Sequence, residues 1–358
     1  MKTHRTGPKR AAKGNMVSEL IINDLTIDPD CQITIDLPLP RLYTHTLMTM
    51  PVHVIRGKKQ GPRLFVSAAI HGDELNGVEI IRRLLKQPVL SKLRGDLIAI
   101  PMVNVYGIIH HSRYLPDRRD LNRSFPGSKK GSLAARIADL FMTEIVAKCT
   151  HGIDLHTGAI HRSNLPQVRA NLDDTETMRL AKSFHVPVLL NSNLRDGSLR
   201  EAAAEFGIPM LLYEAGEALR FDEVSIRAGL RGILGVMRHM EMLPAGKSRK
   251  HSENEPFIAR SSQWVRAPRS GIFRVAKSLG EKIKFKDTLG TINDPISNLE
   301  VPVISPCSGL IIGRSELPLV HEGEAIYHIA QFEDNHEVAE HIEMFQESIS
   351  PEFKPVAV

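Results

Sequence analysis

Between residues 64 and 240 the apolar positions follow two alternating rhythms. Short apolar runs at 64–70, 97–103, 186–190 and 210–213 predict buried strands, and the stretches between them carry the three-to-four-residue spacing of amphipathic helices. That spacing predicts helices over 78–85, 132–148 and 224–240. In the second of these Leu133, Ile137, Leu140 and Phe141 share one face, and the chain then enters the Gly152-Ile153-Asp154-Leu155 run. Strands alternating with crossover helices predict an α/β fold: a mixed, mainly parallel sheet with helices on both faces.

The rhythm changes after residue 243. Residues 244–262 are polar, aperiodic and punctuated by Pro and Gly, as expected of a linker. From 263 to 332 Gly and Pro separate short β-like runs with no helical spacing, which predicts a small all-β domain. A weak internal repeat runs through it: Pro268-Arg269-Ser270-Gly271-Ile272 recurs as Pro306-Cys307-Ser308-Gly309-Leu310, and 283–292 aligns with 320–329. Two similar hairpin units resemble the barrel-sandwich fold of biotinyl and lipoyl carrier domains. No lysine of the carrier type sits at the turn between them, so no carrier function follows. The division is therefore a basic tail at 1–16, expected to be disordered, an α/β domain at 17–243, the linker, the β-rich domain and a C-terminal tail at 333–358.

Composition narrows the class. Of the 358 residues 42% are hydrophobic and 24% charged, the balance of a globular protein with a sizeable core. The net charge is +5, but Lys2, Arg5, Lys9, Arg10 and Lys13 account for much of it, so the folded part is nearly balanced and nucleic acid is not an expected partner. No apolar run approaches the ~20 residues of a membrane span, and no apolar segment of a secretory signal follows the basic start. The expectation is a cytoplasmic protein without a membrane partner. Cys31, Cys149 and Cys307 are widely spaced and odd in number, so neither a disulfide framework nor a thiolate metal site is expected. A homo-oligomer is compatible with the sequence, and no stretch specifies one.

The candidate chemistry sits at predicted strand ends. His71 and Glu74, in Ile70-His71-Gly72-Asp73-Glu74, follow the first strand at an i, i+3 spacing that points both to one side of a turn. Imidazole and carboxylate are zinc ligands, and a catalytic zinc takes three protein ligands and leaves one position to water. His156, in Asp154-Leu155-His156-Thr157-Gly158, lies just past another strand and supplies the third, with Asp154 placed to orient a ligand imidazole. Ligands from two strand ends converge at the carboxyl edge where open α/β sheets bind. Among 16 histidines either motif alone is more often structural, and the pair together favours a metal. His53, His110, His111, His151 and His161 lack such a setting and are read as surface or loop residues.

In order along the chain, His71-Gly72-Asp73-Glu74, Asp120-Leu121-Asn122-Arg123, the 154–158 motif and Tyr213-Glu214-Ala215-Gly216 resemble the succinylglutamate desuccinylase and aspartoacylase family, which is related to the zinc carboxypeptidases. The resemblance spans roughly residues 50–240. It implies one zinc per chain on His71, Glu74 and His156, and Glu214 as the general base, with Glu217 its nearest competitor. Asn122 and Arg123 match the positions that grip a substrate carboxylate, and Arg113 is the nearest match to an arginine that stabilises the oxyanion. The 113–123 segment is about two residues longer than in familiar aspartoacylases. Arg169, in a stretch at 164–170 expected to form a loop, is either a second charge for an acidic substrate or a plain surface arginine, and 194–199 is a further candidate pocket loop. The resemblance thus implies a zinc-dependent amide hydrolase acting on an N-acyl amino acid. A carboxypeptidase trimming a peptide tail uses the same chemistry, and a metal-free scaffold is the non-enzymatic alternative. The implied partner is a small acylated amino acid or a short peptide.

Overall fold

The computed structural model describes residues 19–192, 194–246, 256–332, 345 and 349. The basic tail expected at 1–16 lies outside them. The elements that frame the site are, in chain order, β1 (Gln32–Pro38), β2 (Thr49–Arg56), β3 (Lys59–Ala68), α1 (Asn76–Leu85), β4 (Arg94–Ile100), α2 (Leu133–Glu144), β5 (His151–Gly158), β6 (Arg162–Ala170), α3 (Thr175–Ser183), β7 (Val188–Asn191), α4 (Leu199–Glu205), β8 (Met210–Glu217) and α5 (Glu223–His239). The C-terminal unit adds β9 (Phe257–Ala259), β10 (Ser261–Arg266), β11 (Gly271–Val275), β12 (Thr288–Asn293), β13 (Glu300–Ile304), β14 (Gly309–Ser315), β15 (Leu319–Val320) and β16 (Ala325–Gln331).

One large mixed sheet runs in the order β10-β16-β14-β6-β8-β5-β3-β4-β2-β1. Its centre, β8-β5-β3-β4, is parallel, and the flanking pairs β6–β8, β4–β2 and β2–β1 are antiparallel. Strand alternation decides what each face holds. On β5 and β8, Ile153, Leu155, Leu211, Tyr213 and Ala215 join the core formed with α1, α3 and α5. Residues of α2 and α4 build a second core with Phe65, Ile98 and Ile100 on the other face. Helices therefore cover both faces, as the alternating pattern predicts. Among the described residues no helix is long and apolar enough to cross a membrane.

Four stretches differ from the sequence expectation. The stretch 164–170, expected as a loop, belongs to strand β6, which pairs with β8, β7 and β14. Pro166 and the polar Gln167 and Arg169 hide its alternation: Val168 and Ala170 join the first core, while Asn164 and Arg169 line the cavity. Helices α3 and α4 were not predicted: one is nine residues with few apolar positions, and the other is seven residues built on alanines. The expected linker 244–262 contains β9 and the start of β10, and β9 adds in parallel to β7.

The β-rich unit is not set apart from the α/β sheet. Strand β14 pairs with β6 through Gly313↔Asn164, so β14, β16 and β10 continue the large sheet, and the four-stranded sheet β13-β12-β11-β15 faces them across an apolar core. The repeat is visible in pairing: β11 with β12, and β14 with β16, are equivalent antiparallel pairs that begin at Gly271 and Gly309. Within the expected C-terminal tail, Phe345 and Ile349 pack on the first core.

Helix α1 begins two residues after Glu74 and is anchored at both ends. Asn76 donates to the Ala215 carbonyl at 3.2 Å and accepts from the Asp222 amide at 3.0 Å, tying α1 to the end of β8 and the start of α5. Two turns on, Arg83 reaches Glu79 at 2.7 Å and both oxygens of Glu223 on α5 at 2.8 Å. The Arg82 and Arg83 guanidiniums pull Glu79 down to about 2, and Arg83 pulls Glu223 down to about 2. Both folded-state values lie below the ordinary 4.5, so this stability is full above that value and disappears as pH falls toward 2. Replacing Arg83 by Leu is expected to cost ~1 kcal/mol, a small sum because Glu223 is partly exposed and water screens the pair. Urea midpoints should show the gap from wild type at pH 7 and its closure toward pH 3, and an equal gap at both pH values would contradict the ion-pair account.

Candidate metal centre and active site

Beyond Ala68 the chain leaves β3, and a tight turn in which the Glu74 amide donates to the His71 carbonyl at 3.2 Å brings both side chains inward. Gly72 permits this turn: a Cβ there would lie 2.0 Å from the backbone of Gly107. His156 arrives from β5. Its alternation puts Asp154 and His156 on the face opposite Ile153 and Leu155, and Glu214 sits beside His156 in the parallel register of β8 and β5. After Glu214 the strand bulges, and Gly216 takes a positive φ of 74° that a side chain would resist.

The carboxylate of Glu74 lies between the two imidazoles, 2.7 Å from His71 Nδ1 through one oxygen and 2.7 Å from His156 Nδ1 through the other. All three residues are buried, and their ligand atoms lie within 4.8 Å of one another. Each imidazole turns its Nε2 to a further carboxylate: His71 to Asp120 at 3.1 Å and His156 to Asp154 at 2.7 Å. Asp154 in turn accepts from Ser67 Oγ at 2.7 Å. Burial disfavours the charged imidazoles, but Glu74 with Asp120 or Asp154 outweighs it and raises both histidines. Burial likewise disfavours charge on Glu74, and His71 and His156 outweigh it and hold the carboxylate well below its usual range. The chemistry fits a divalent cation, which satisfies a buried carboxylate and two Nδ1 lone pairs at once while the outer carboxylates fix the rings. His71, Glu74 and His156 could hold such an ion.

Arg113 lies against this group. Its Nη1 is 3.4 Å from Glu74 and 3.2 Å from His71 Nδ1, while Nε and Nη2 grip Asp120 at 3.2 and 3.0 Å. Glu214, half-buried, is held by the neighbouring strand: Asn164 donates to Oε1 at 2.8 Å, and Arg169 Nε stands 2.6 Å from Oε2. Glu217 instead accepts from the His161 amide at 3.1 Å and does not line the cavity.

A cavity of about 340 Å³ opens over these residues and brings His71, Glu74, His156, Glu214, Arg113, Asn122, Arg123 and Arg169 to one place. Asn122 spends its side-chain oxygen on the Leu199 amide at 2.9 Å, which pins the 195–200 loop beside Arg123. That loop and the first turn of α4 line the cavity with Arg195, Ser198 and Arg200, and with Arg162 the lining holds six arginines. Their crowding disfavours charge. Burial and the neighbouring Arg123 and Arg169 lower Arg195, and burial with Arg169 and Arg195 brings Arg200 down to about 10.

Several site residues were invisible in the sequence reading. Asp120 stood in a noted motif without a role, although a second carboxylate behind the second imidazole is what paired ligand histidines call for. Asn164 lies in the stretch that the sequence predicts as a loop, and Arg162, Arg200 and Trp264 carry no local signal. Trp264 reaches the cavity only because β10 joins the large sheet through β16 and β14.

The comparisons with known proteins agree with this geometry. The family model for the succinylglutamate desuccinylase/aspartoacylase catalytic domain matches residues 60–240. The chain is 26% identical over 294 residues to N-alpha-acetyl-L-2,4-diaminobutyric acid deacetylase of Halomonas elongata, covering 79% of this chain and 85% of that protein. Among solved structures it is similar to a succinylglutamate desuccinylase/aspartoacylase of Rhodobacter sphaeroides, with a TM-score of 0.78 and 23% identity over 87% of this chain and 99% of that one. The product-bound ectoine utilization protein EutE (DoeB) of Ruegeria pomeroyi gives a TM-score of 0.77 at 23% identity, over 89% and 99% of the two chains. With half of its length matched by the family model and the metal-competent triad in place, the chain belongs to the succinylglutamate desuccinylase/aspartoacylase family.

Proposed function

We propose that this protein is a zinc-dependent deacylase that hydrolyses the amide of an N-acyl amino acid bearing a carboxylate. The observation that carries the reading is the arrangement of His71, Glu74 and His156 beside Glu214 in one arginine-lined cavity. Family membership supports amide hydrolysis, and the Halomonas relative is named for deacylation of an acetylated amino acid. A cavity of about 340 Å³, with Trp264 in its lining, supports a small acylated amino acid over a peptide tail.

His71, Glu74 and His156 would hold the zinc, which when bound would supply Lewis-acid activation of water and carbonyl. The chain's own residues do the rest. Glu214 takes the proton of the attacking water and passes it to the leaving amine, and Asn164 fixes the direction of its carboxylate through Oε1. Arg113, poised beside Glu74 and His71, offers its guanidinium to the negative charge that grows on the carbonyl oxygen. Arg123, with Arg195 and Arg200 of the adjoining loop, holds the substrate carboxylate, for which a planar guanidinium suits both oxygens. Arg169 pairs with Glu214 here, and a second substrate carboxylate would compete for it.

Two measurements test this. Glu214→Gln is expected to retain one zinc per chain while hydrolysis of N-acyl amino acids falls ~10²- to 10⁴-fold. Full activity in that variant, or wild-type protein that binds no zinc on titration, would overturn the reading. Asp154→Asn, which loosens the His156 ring, is expected to weaken zinc binding ~10- to 100-fold in a chelator competition, and unchanged affinity would remove Asp154 from the site.

A further inference from the structure

The C-terminal β unit contributes one side chain that the proposed mechanism leaves unused. Trp264, on β10, is the sole tryptophan of the chain and lines the cavity half-buried. It belongs to none of the apolar core clusters. Its ring is held all the same. The cross-strand partner His328 stacks on it with centroids 4.3 Å apart and planes 4° from parallel, and the Arg162 guanidinium stands 5.2 Å from the ring centroid. Burial, with Arg169 and Arg195 nearby, pushes His328 down to about 3, so the stack keeps one charge state across any practical assay pH. An indole fixed by strand pairing and stacking, yet outside every core, is a rigid apolar surface offered to the cavity.

The cavity lining divides into two chemistries. Residues 122–125 and 195–200 are joined by the Leu199–Asn122 bond at 2.9 Å and the Phe125–Gly197 bond at 3.0 Å, and they present Arg123, Arg195, Ser198 and Arg200. Gly158, Ala159, Leu212 and Trp264 supply lining without charge, and Trp264 is the largest of these side chains. A carboxylate belongs with the first group. The half of the amide substrate that carries no carboxylate anchor is left to the second.

We infer that Trp264 is a specificity-determining residue that reads the acyl group, and that the enzyme takes N-acyl amino acids whose acyl chain has an apolar body larger than the methyl of acetyl. This rests on the deacylase reading above and goes beyond it by naming the acyl class and the residue that selects it. An apolar wall discriminates by size, and each methylene it covers is worth roughly 10-fold in kcat/KM.

The test uses the zinc-loaded full chain with N-acetyl, N-butanoyl and N-benzoyl forms of one amino acid, chosen from aspartate, glutamate and 2,4-diaminobutyrate as the best accepted. Wild type should prefer the butanoyl or benzoyl form over the acetyl form by at least ~10-fold. Trp264→Ala should lose ~10- to 100-fold in kcat/KM on the larger substrates, mainly through KM, and less than ~3-fold on the acetyl form, while Trp264→Phe keeps the preference. Emission from the single tryptophan supplies a readout free of turnover: butanoate should change it at lower concentration than acetate. A preference for acetyl, an equal loss on all acyl groups in Trp264→Ala, or an emission blind to both acids would overturn the inference. If wild type turns over no acyl amino acid at all, the deacylase reading itself falls. If it turns them over with a preference indifferent to Trp264, only the acyl assignment falls.

Discussion

The buried carboxylate of Glu74 is the constraint around which the site is organised. At 2% exposure it has lost its water, and an ionised carboxylate in that position is tolerated only with cationic or strongly donating partners on both oxygens. His71 and His156 fill that place at 2.7 Å each, and each imidazole then needs a partner for its far nitrogen. Asp120 and Asp154 meet this need, Arg113 balances Asp120, and Ser67 caps Asp154. The result is one continuous chain of polar contacts from β3 to the 113–120 segment. Such a network is worth keeping only if fully satisfied, and a divalent cation satisfies it most simply.

The same constraint explains the glycines and the sheet order. Gly72 lets the turn after β3 press against Gly107, and Gly216 lets β8 bulge away immediately after Glu214. The parallel pairs β3–β5 and β5–β8 bring the ends of three strands together, so that residues far apart in sequence meet without a long loop. The C-terminal unit then completes the cavity from the side of β6. Because its strands share hydrogen bonds with the main sheet, Trp264 is placed by backbone pairing rather than by contact between loosely joined domains.

Much of this was legible in the chain. Leu64, Val66, Leu97 and Ala99 follow strand alternation or continuous burial, and the 71–74 and 154–158 motifs sit where strands end, so the central strands and the metal-competent residues could be located from pattern alone. What escaped was whatever the site itself disguises. Strand β6 sets Val168 and Ala170 of the first core among Asn164, Pro166, Gln167 and Arg169, so the cavity-lining Asn164 and Arg169, with Pro166 and Gln167, broke the apolar signal of the strand. Asn164 and Trp264 depend on which strands pair across more than a hundred residues of sequence, which no local window contains. The internal repeat announced the paired hairpins of the C-terminal unit, but not that one of them extends the main sheet.

The central claim is that the carboxylate between two imidazoles marks a zinc site. Crystals of the zinc-loaded protein measured on both sides of the zinc absorption edge test it most directly. The account predicts a single strong anomalous peak per chain, enclosed by His71, Glu74 and His156. No peak there, or one held by other residues, would contradict it.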